Sequence, residues 1–160
     1  METLSLRPIT PEDREFLYQV FASTHEGEMA LLAWDEVQKN EFLRVQFNAQ
    51  HTYYLGQFTE AAFEVVLLDG EPVGRLYVDR RQDEIRIIDI ALLAEHRKKG
   101  IGSKLLSEIL AEASQARLPV RIHVEQYNPA LRLYERLGFS PTNHIGMYYL
   151  MEWRPERIHA

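Results

Sequence analysis

The run EHRKKGIGSKLL, Glu95 to Leu106, places His96, Arg97, Lys98 and Lys99 directly before a stretch of helical periodicity, with Lys104 one turn later. A helix N-terminus already carries partial positive charge from its unpaired N–H groups and favours anions. Without a negative group among them, these cations repel the helix end and one another. Gly100 and Gly102 leave the backbone amides uncovered, and a strand, a glycine-rich turn and a helix together make an anion cradle. The P-loop pattern Gly-x-x-x-x-Gly-Lys-Ser/Thr is absent, and the dinucleotide pattern Gly-x-Gly-x-x-Gly meets Leu105 at its third glycine. The pattern Arg/Gln-x-x-Gly-x-Gly/Ala is filled by Arg97, Gly100 and Gly102. The plain alternative is a solvated basic turn whose glycines serve tight packing.

Proton-transfer chemistry has its own candidates. Asp89 is a carboxylate inside the apolar run IIDIALL. A buried carboxylate needs a partner or a shifted pKa, which marks either a working site or a structural ion pair. His123 titrates in the range that suits proton uptake near neutrality, and Glu84 and Glu125 stand at strand ends as weaker candidates. His25, His51, His144 and His159 are scattered without metal-ligand spacing, so no metal site is expected. The chain has no cysteine, which excludes a thiolate nucleophile, disulfides and cysteine metal sites.

A chain of 160 residues suits one domain, 1–160, with one substantial core. Its net charge of −6 argues against a nucleic-acid partner or an anionic membrane surface, and sets the cation cluster apart from an acidic background. METLSLRPIT has no apolar signal core and no run approaches membrane-spanning length, so the expected location is the cytoplasm.

The elements that position these residues follow from periodicity. LSLRPI predicts a first strand, Thr3 to Ile9. TPED starts a helix with Thr10 as cap, Pro11 at the first position and Asp13 at the third, and STHEGE breaks it. A second helix is expected from near Asp35 to about Gln50, with Phe42, Val45 and Ala49 on one side and Leu43 and Phe47 beside them. FEVVLL and VGRLYV flank a hairpin turn at Asp69-Gly70. Ile85 to Leu93 reads as a strand covered on both faces. Leu105, Leu106, Ile109, Leu110 and Ala113 stripe a helix, PVRIHVE is a strand, and Ala130, Leu133, Tyr134 and Leu137 mark a helix stopped at Gly138. IGMYYLMEW is a final strand. The order is α+β with a mixed sheet.

Two stretches, IALLAEHRKKGIGSKLL and RIHVEQYNPALRLYERLGF, closely resemble the GNAT superfamily of N-acetyltransferases, and the order of elements fits over nearly the whole chain. The resemblance implies a mixed, mostly antiparallel central sheet, splayed after the fourth strand and flanked by about four helices. It implies acetyl-coenzyme A as cofactor, which supplies the missing anion as its pyrophosphate. By resemblance, the amides from Lys98 to Ser103 (Lys98, Lys99, Gly100, Ile101, Gly102 and Ser103) hold that group, with Arg97 heading the motif. The pantetheine arm pairs with backbone near Ile90 and Leu92, and Asn128 contacts the arm. Tyr134 resembles the family's tyrosine that points at the thioester sulfur as general acid, although helical periodicity alone makes it a core aromatic. His123 lies where some members face the acceptor.

The implied reaction is direct attack of a primary amine in a ternary complex, with Asp89, His123 or a water chain taking the proton. A cofactor-binding or interaction module of the same fold, without catalysis, is the alternative. QFNAQHTYYLGQF lies where the family builds its acceptor pocket, or is a helix end packing on the sheet. The acidic residues Glu26, Glu28, Asp35, Glu36 and Glu41 favour a cationic acceptor, small or peptide-borne, without a phosphate or several carboxylates. The terminal strand offers an edge to a second copy.

Overall fold

The computed structural model describes residues 2–125, 128 and 130–155; Gln126, Tyr127 and Pro129 of the asparagine turn, and His159, lie outside the described residues. The chain runs β1 (Leu4–Pro8), a 3-10 turn at Pro11–Asp13, α1 (Arg14–Thr24), α2 (Glu26–Ala30) and α3 (Glu36–Gln57). It continues through β2 (Ala62–Leu68), β3 (Glu71–Arg80), β4 (Ile85–Leu92), α4 (Ile101–Ala116), β5 (Val120–Glu125), α5 (Leu131–Arg136), β6 (Ser140–Ile145) and β7 (Tyr148–Trp153). The strands form one seven-stranded sheet in the order β1-β2-β3-β4-β5-β7-β6, antiparallel except for β4 and β5. The expected mixed, mostly antiparallel sheet is therefore present. Asp69 (φ 52°) and Gly70 (φ 84°) make the β2–β3 turn in the left-handed region that a two-residue hairpin demands.

The sheet opens at one place. β4 and β5 pair only at Ile85–Ile87 and Val120–Ile122. Beyond that, β4 stays with β3 to Leu92, while β5 stays with β7 to Glu125. The departure coincides with a bulge: Val78 faces Ile87 and Tyr77 faces Asp89, which leaves Ile88 as the extra residue. A bulge bends its strand and increases the local twist. At the mouth of the opening β3 and β4 touch closely. A Cβ on Gly74 would lie 2.3 Å from the Ala91 carbonyl oxygen, so only glycine fits.

Two cores lie on the two faces. Ile85, Ile87, Ile122 and Val124 pack under Leu105, Leu106 and Tyr134 from α4 and α5. On the other face Leu17, Phe21, Leu43, Phe47 and Tyr77 join α1 and α3 to the sheet. Burial here is the main drive that holds the helices down, at about 1.5–3 kcal/mol for each large apolar side chain.

Three expectations need correction. The helix break at STHEGE is confined to His25, and Glu26–Ala30 forms the short fifth helix, α2, anchored by buried Met29. α3 continues to Gln57 rather than ending near Gln50, because the buried series Leu43, Phe47 and His51 extends at helical spacing to Tyr54. Its core face is that series; Phe42 and Val45, which helical spacing equally favoured, are 38% and 69% exposed. The final strand begins only at Tyr148, because Gly146 at φ 59° turns the chain between β6 and β7. Among the described residues no helix is long and apolar enough to cross a membrane.

Candidate active site

The cation run forms the loop between β4 and α4. Ser23, near the C-terminal end of α1, pins it: its buried hydroxyl accepts from the Ala94 N–H (3.0 Å) and from Arg97 Nη2 (3.1 Å). Arg97 Nε donates back to the Leu92 carbonyl (3.1 Å), closing the loop on the end of β4. Lys98 (φ 62°) and Gly100 (φ 80°) both lie in the left-handed region. That conformation costs a lysine about 1–2 kcal/mol, so the surrounding contacts must hold it. The first backbone bond of α4 is from the Lys104 N–H to the Gly100 carbonyl (3.0 Å). No side chain caps this helix. Among the described residues, the N–H groups of Ile101, Gly102 and Ser103 therefore have no acceptor. A Cβ on Gly100 would meet nothing within 4 Å, whereas one on Gly102 would face Leu133 at 3.8 Å. The loop is open above Gly100, and Gly102 packs toward α5.

Ile90 and Leu92 turn their side chains to the α4 core, and their backbone lies on the part of β4 that has left β5. Asn128 sits ahead of α5. Its Oδ1 accepts from the Ala130 N–H (2.8 Å), and its own N–H donates to the Glu125 carbonyl (2.9 Å). Among the described residues, its side-chain amide nitrogen makes no hydrogen bond.

Tyr134 is buried against Phe139, with ring centroids 5.7 Å apart. Burial first, and the Asp89 carboxylate second, raise its phenol pKa and keep it protonated. Asp89 leaves β4 on the α3 face. Its Oδ2 accepts from Arg75 Nη2 at 2.6 Å and from the Tyr54 hydroxyl at 3.5 Å. Arg75 is 3% exposed and also donates to Gln50 Oε1 at 3.0 Å. Burial, the largest single influence, opposes the Arg75 charge, but Asp89, Tyr77 and Tyr54 together outweigh it, and the net pKa shift is upward. Burial and Asp89 likewise raise Tyr54. Asp89 is thus a member of a buried ion pair, and its charge reaches tyrosines from α3 and α5.

His123 stands apart on β5, exposed, where its Nδ1 faces Arg86 Nη2. Burial first, then the Arg86 charge, lower its pKa. A guanidinium only donates, so Nδ1 is the acceptor and the neutral ring carries its proton on Nε2. Glu84 is tied to Arg81 (3.0 Å) and Arg121 (2.7 Å), and Glu125 is exposed at the end of β5.

The structure therefore sets the loop, Ile90 and Leu92 at the end of β4 that has left β5, with Tyr134 near enough to Asp89 to feel its charge, Asn128 ahead of α5 and His123 on the flanking strand. Sequence reasoning missed Ser23, Gly74 and Arg75, and it placed Tyr54 near the acceptor without its bond to Asp89. A cation in VGRLYV, the strand neighbouring IIDIALL, was the one available hint of an Arg75–Asp89 pair; nothing in the sequence marks Ser23.

The opened sheet carries a basic, uncapped helix start on its rim. The sequence profile of the Acetyltransferase (GNAT) family matches residues 16–139, and the chain belongs to that family. An N-alpha-acetyltransferase of Sulfurisphaera tokodaii is 26% identical over an alignment of 132, covering 72% of this chain and 79% of that protein. A histone acetyltransferase of Arabidopsis thaliana is 26% identical over 167; the match takes in 93% of this chain and 65% of the plant protein. Among solved structures, the PaiA N-acetyltransferase of Thermoplasma acidophilum, in complex with coenzyme A, has a TM-score of 0.71 at 18% identity, over 95% of this chain and 99% of that one.

Proposed function

We propose that this protein transfers the acetyl group of acetyl-coenzyme A to a primary amine, small or peptide-borne, by direct attack within a ternary complex. The observation that carries the reading is the start of α4. Its amides lack protein acceptors among the described residues, and Arg97, Lys98 and Lys99 surround them. Free N–H groups, a left-handed loop and local cations suit a pyrophosphate and suit little else in an acidic protein. Lys98 to Ser103 would hold that group, the released backbone of Ile90 and Leu92 would pair with the extended arm, and the Asn128 amide nitrogen would donate to it. The cofactor supplies an activated acetyl thioester.

Tyr134 acts as donor toward the departing sulfur, and its raised pKa keeps the proton available. Removal of the amine proton has three routes: Asp89, His123 or water. Asp89 Oδ2 already accepts from Arg75, and His123 Nδ1 already accepts from Arg86. Loss of the proton through water fits this geometry better than direct abstraction by either group. Thiol release from acetyl-coenzyme A with a panel of primary amines tests the reading. Amine-dependent release supports it, and none across the panel overturns it.

A further inference from the structure

Arg86 differs from its neighbours on the sheet. Arg121 is tied to Glu84 (2.7 Å) and Glu152 (2.8 Å), and Arg81 to Asp79 (2.9 Å) and Glu84 (3.0 Å). Among the described residues, no carboxylate pairs with Arg86. Its Nε is closed off from solvent without a hydrogen-bond partner, and among the described residues its one side-chain hydrogen-bond contact is with His123. Burial, its largest influence, opposes the charge, and Arg81 and Arg121 add to that while Glu84 opposes it. A partly buried guanidinium held without a counter-charge is costly, because the desolvation of a cation is repaid only by a well-placed anion.

The position suggests which anion. Arg86 lies on the last stretch of β4 that pairs with β5, at the floor of the opening. His123 is exposed beside it on β5, with its Nε2–H unengaged among the described residues. Asp89 stands three residues further along β4, at the level where the strands have parted. One strand thus carries the Asp89 carboxylate, already paired with Arg75, and below it a guanidinium with an imidazole N–H. The guanidinium calls for an anion and the proposed transfer for an amine, and a ligand with both is dipolar.

We propose that Arg86, with the His123 Nε2–H, docks a carboxylate of the acceptor, so that the acceptor is an amino acid, an amine carrying its own carboxylate. This rests on the acetyl-transfer reading for the role of the amine but not for the docking of the acid. A guanidinium presents two parallel N–H groups to a carboxylate, which a carboxamide cannot match in charge. The amino end then lies toward Asp89 and the opening. His123 becomes a donor that orients the acceptor rather than the base that deprotonates it.

Equilibrium titration tests this independently of turnover. Glycine and 6-aminohexanoate, each beside its carboxamide, are titrated into the protein with and without coenzyme A. The better-bound acid of the two should bind about ten to a hundredfold more tightly than its amide, the value of a charge-assisted pair. Arg86→Gln should bring that ratio close to one, and Arg86→Lys, which keeps the charge and loses the fork, should leave an intermediate ratio. Melting curves verify that both variants fold, and if Arg86→Gln does not, the ratio in Arg86→Lys decides. Equal binding of acid and amide by the wild type overturns the proposal, as does a preference unchanged in the variants. Thiol release is measured in parallel. An acid preference without release refutes the transfer reading and leaves the docking assignment standing.

Discussion

The face between α3 and the β3–β4 pair matches Arg75 with Asp89, though Arg75 Nε and the Tyr77 hydroxyl stay buried without partners, while the rim ahead of α4 leaves its backbone amides open. At the start of α3, Asp35 Oδ1 accepts from the Gln38 N–H (2.8 Å) and Gln38 Oε1 accepts from the Asp35 N–H (3.0 Å). Deeper on the same face, Arg75 and Asp89 pair at 2.6 Å. At the start of α4 there is no side-chain cap, and cations stand where acids would be favourable. Both helices were available to the same capping chemistry, and only one uses it. On the proposed function, the contrast separates polar groups that hold the fold from polar groups that would hold a ligand. Changes in the first region should cost stability, and changes in the second should cost binding or turnover.

The largest stability effect is expected at Asp89. Asp89→Ala strands the Arg75 guanidinium in the interior and should lower unfolding free energy by about 3–5 kcal/mol in chemical denaturation. A loss below about 1 kcal/mol would mean that Arg75 does not depend on Asp89. Tyr134→Phe keeps the ring against Phe139 and removes only the hydroxyl. Steady-state kinetics should show turnover down on the order of tenfold to a thousandfold with acetyl-coenzyme A affinity retained. Unaltered turnover would return Tyr134 to the core alone.

Asp35→Ala removes the α3 cap and should cost about 1 kcal/mol with no change in acetyl-coenzyme A affinity. The smallest effect concerns pH. His51 and His123 are both lowered, by burial first and then by nearby arginines. A histidine with a depressed folded pKa binds its proton more readily when unfolded. Its stabilisation is therefore present above the unfolded value of about 6.5 and is lost as pH falls through the folded value. Melting temperature should fall as pH drops below about 6.5, and the double variant His51→Gln, His123→Gln should flatten that slope. An equal slope in the variant would assign the acid sensitivity elsewhere.

Much of this contrast is legible in the sequence, and unevenly so. The α4 loop is readable because its signal is local: glycines, cations and a helical stripe lie within a dozen residues. The Asp69-Gly70 hairpin and the Gly138 stop are local for the same reason. The extent of α3 is not, because QFNAQHTYYLGQF mixes polar and aromatic residues and only its contacts with Tyr77 and Asp89 show which face is buried. Asp89 announced a partner without naming it. Arg75 becomes that partner through a register with a bulge at Ile88, which no spacing rule supplies. Arg86 meets His123 only because β4 and β5 pair in parallel across 37 positions of chain. Ser23 pins the loop from 74 residues away and carries no sequence signal at all.

If the uncapped start of α4 holds the pyrophosphate of acetyl-coenzyme A, an acid placed there should expel it. Gly100→Asp is the sharpest probe, since it sets an acid at the start of α4 where its side chain meets nothing within 4 Å, at a strain of about 1–2 kcal/mol for the left-handed φ of 80° that the melting curve reads separately. Isothermal titration of acetyl-coenzyme A into the wild type and this variant, each with its melting curve, makes the measurement. The account predicts that the wild type binds, gains about 2.7 kcal/mol at a hundredfold excess over its dissociation constant, and loses affinity as salt rises. The variant should remain folded and bind on the order of a hundredfold more weakly. Wild-type affinity in Gly100→Asp would contradict it.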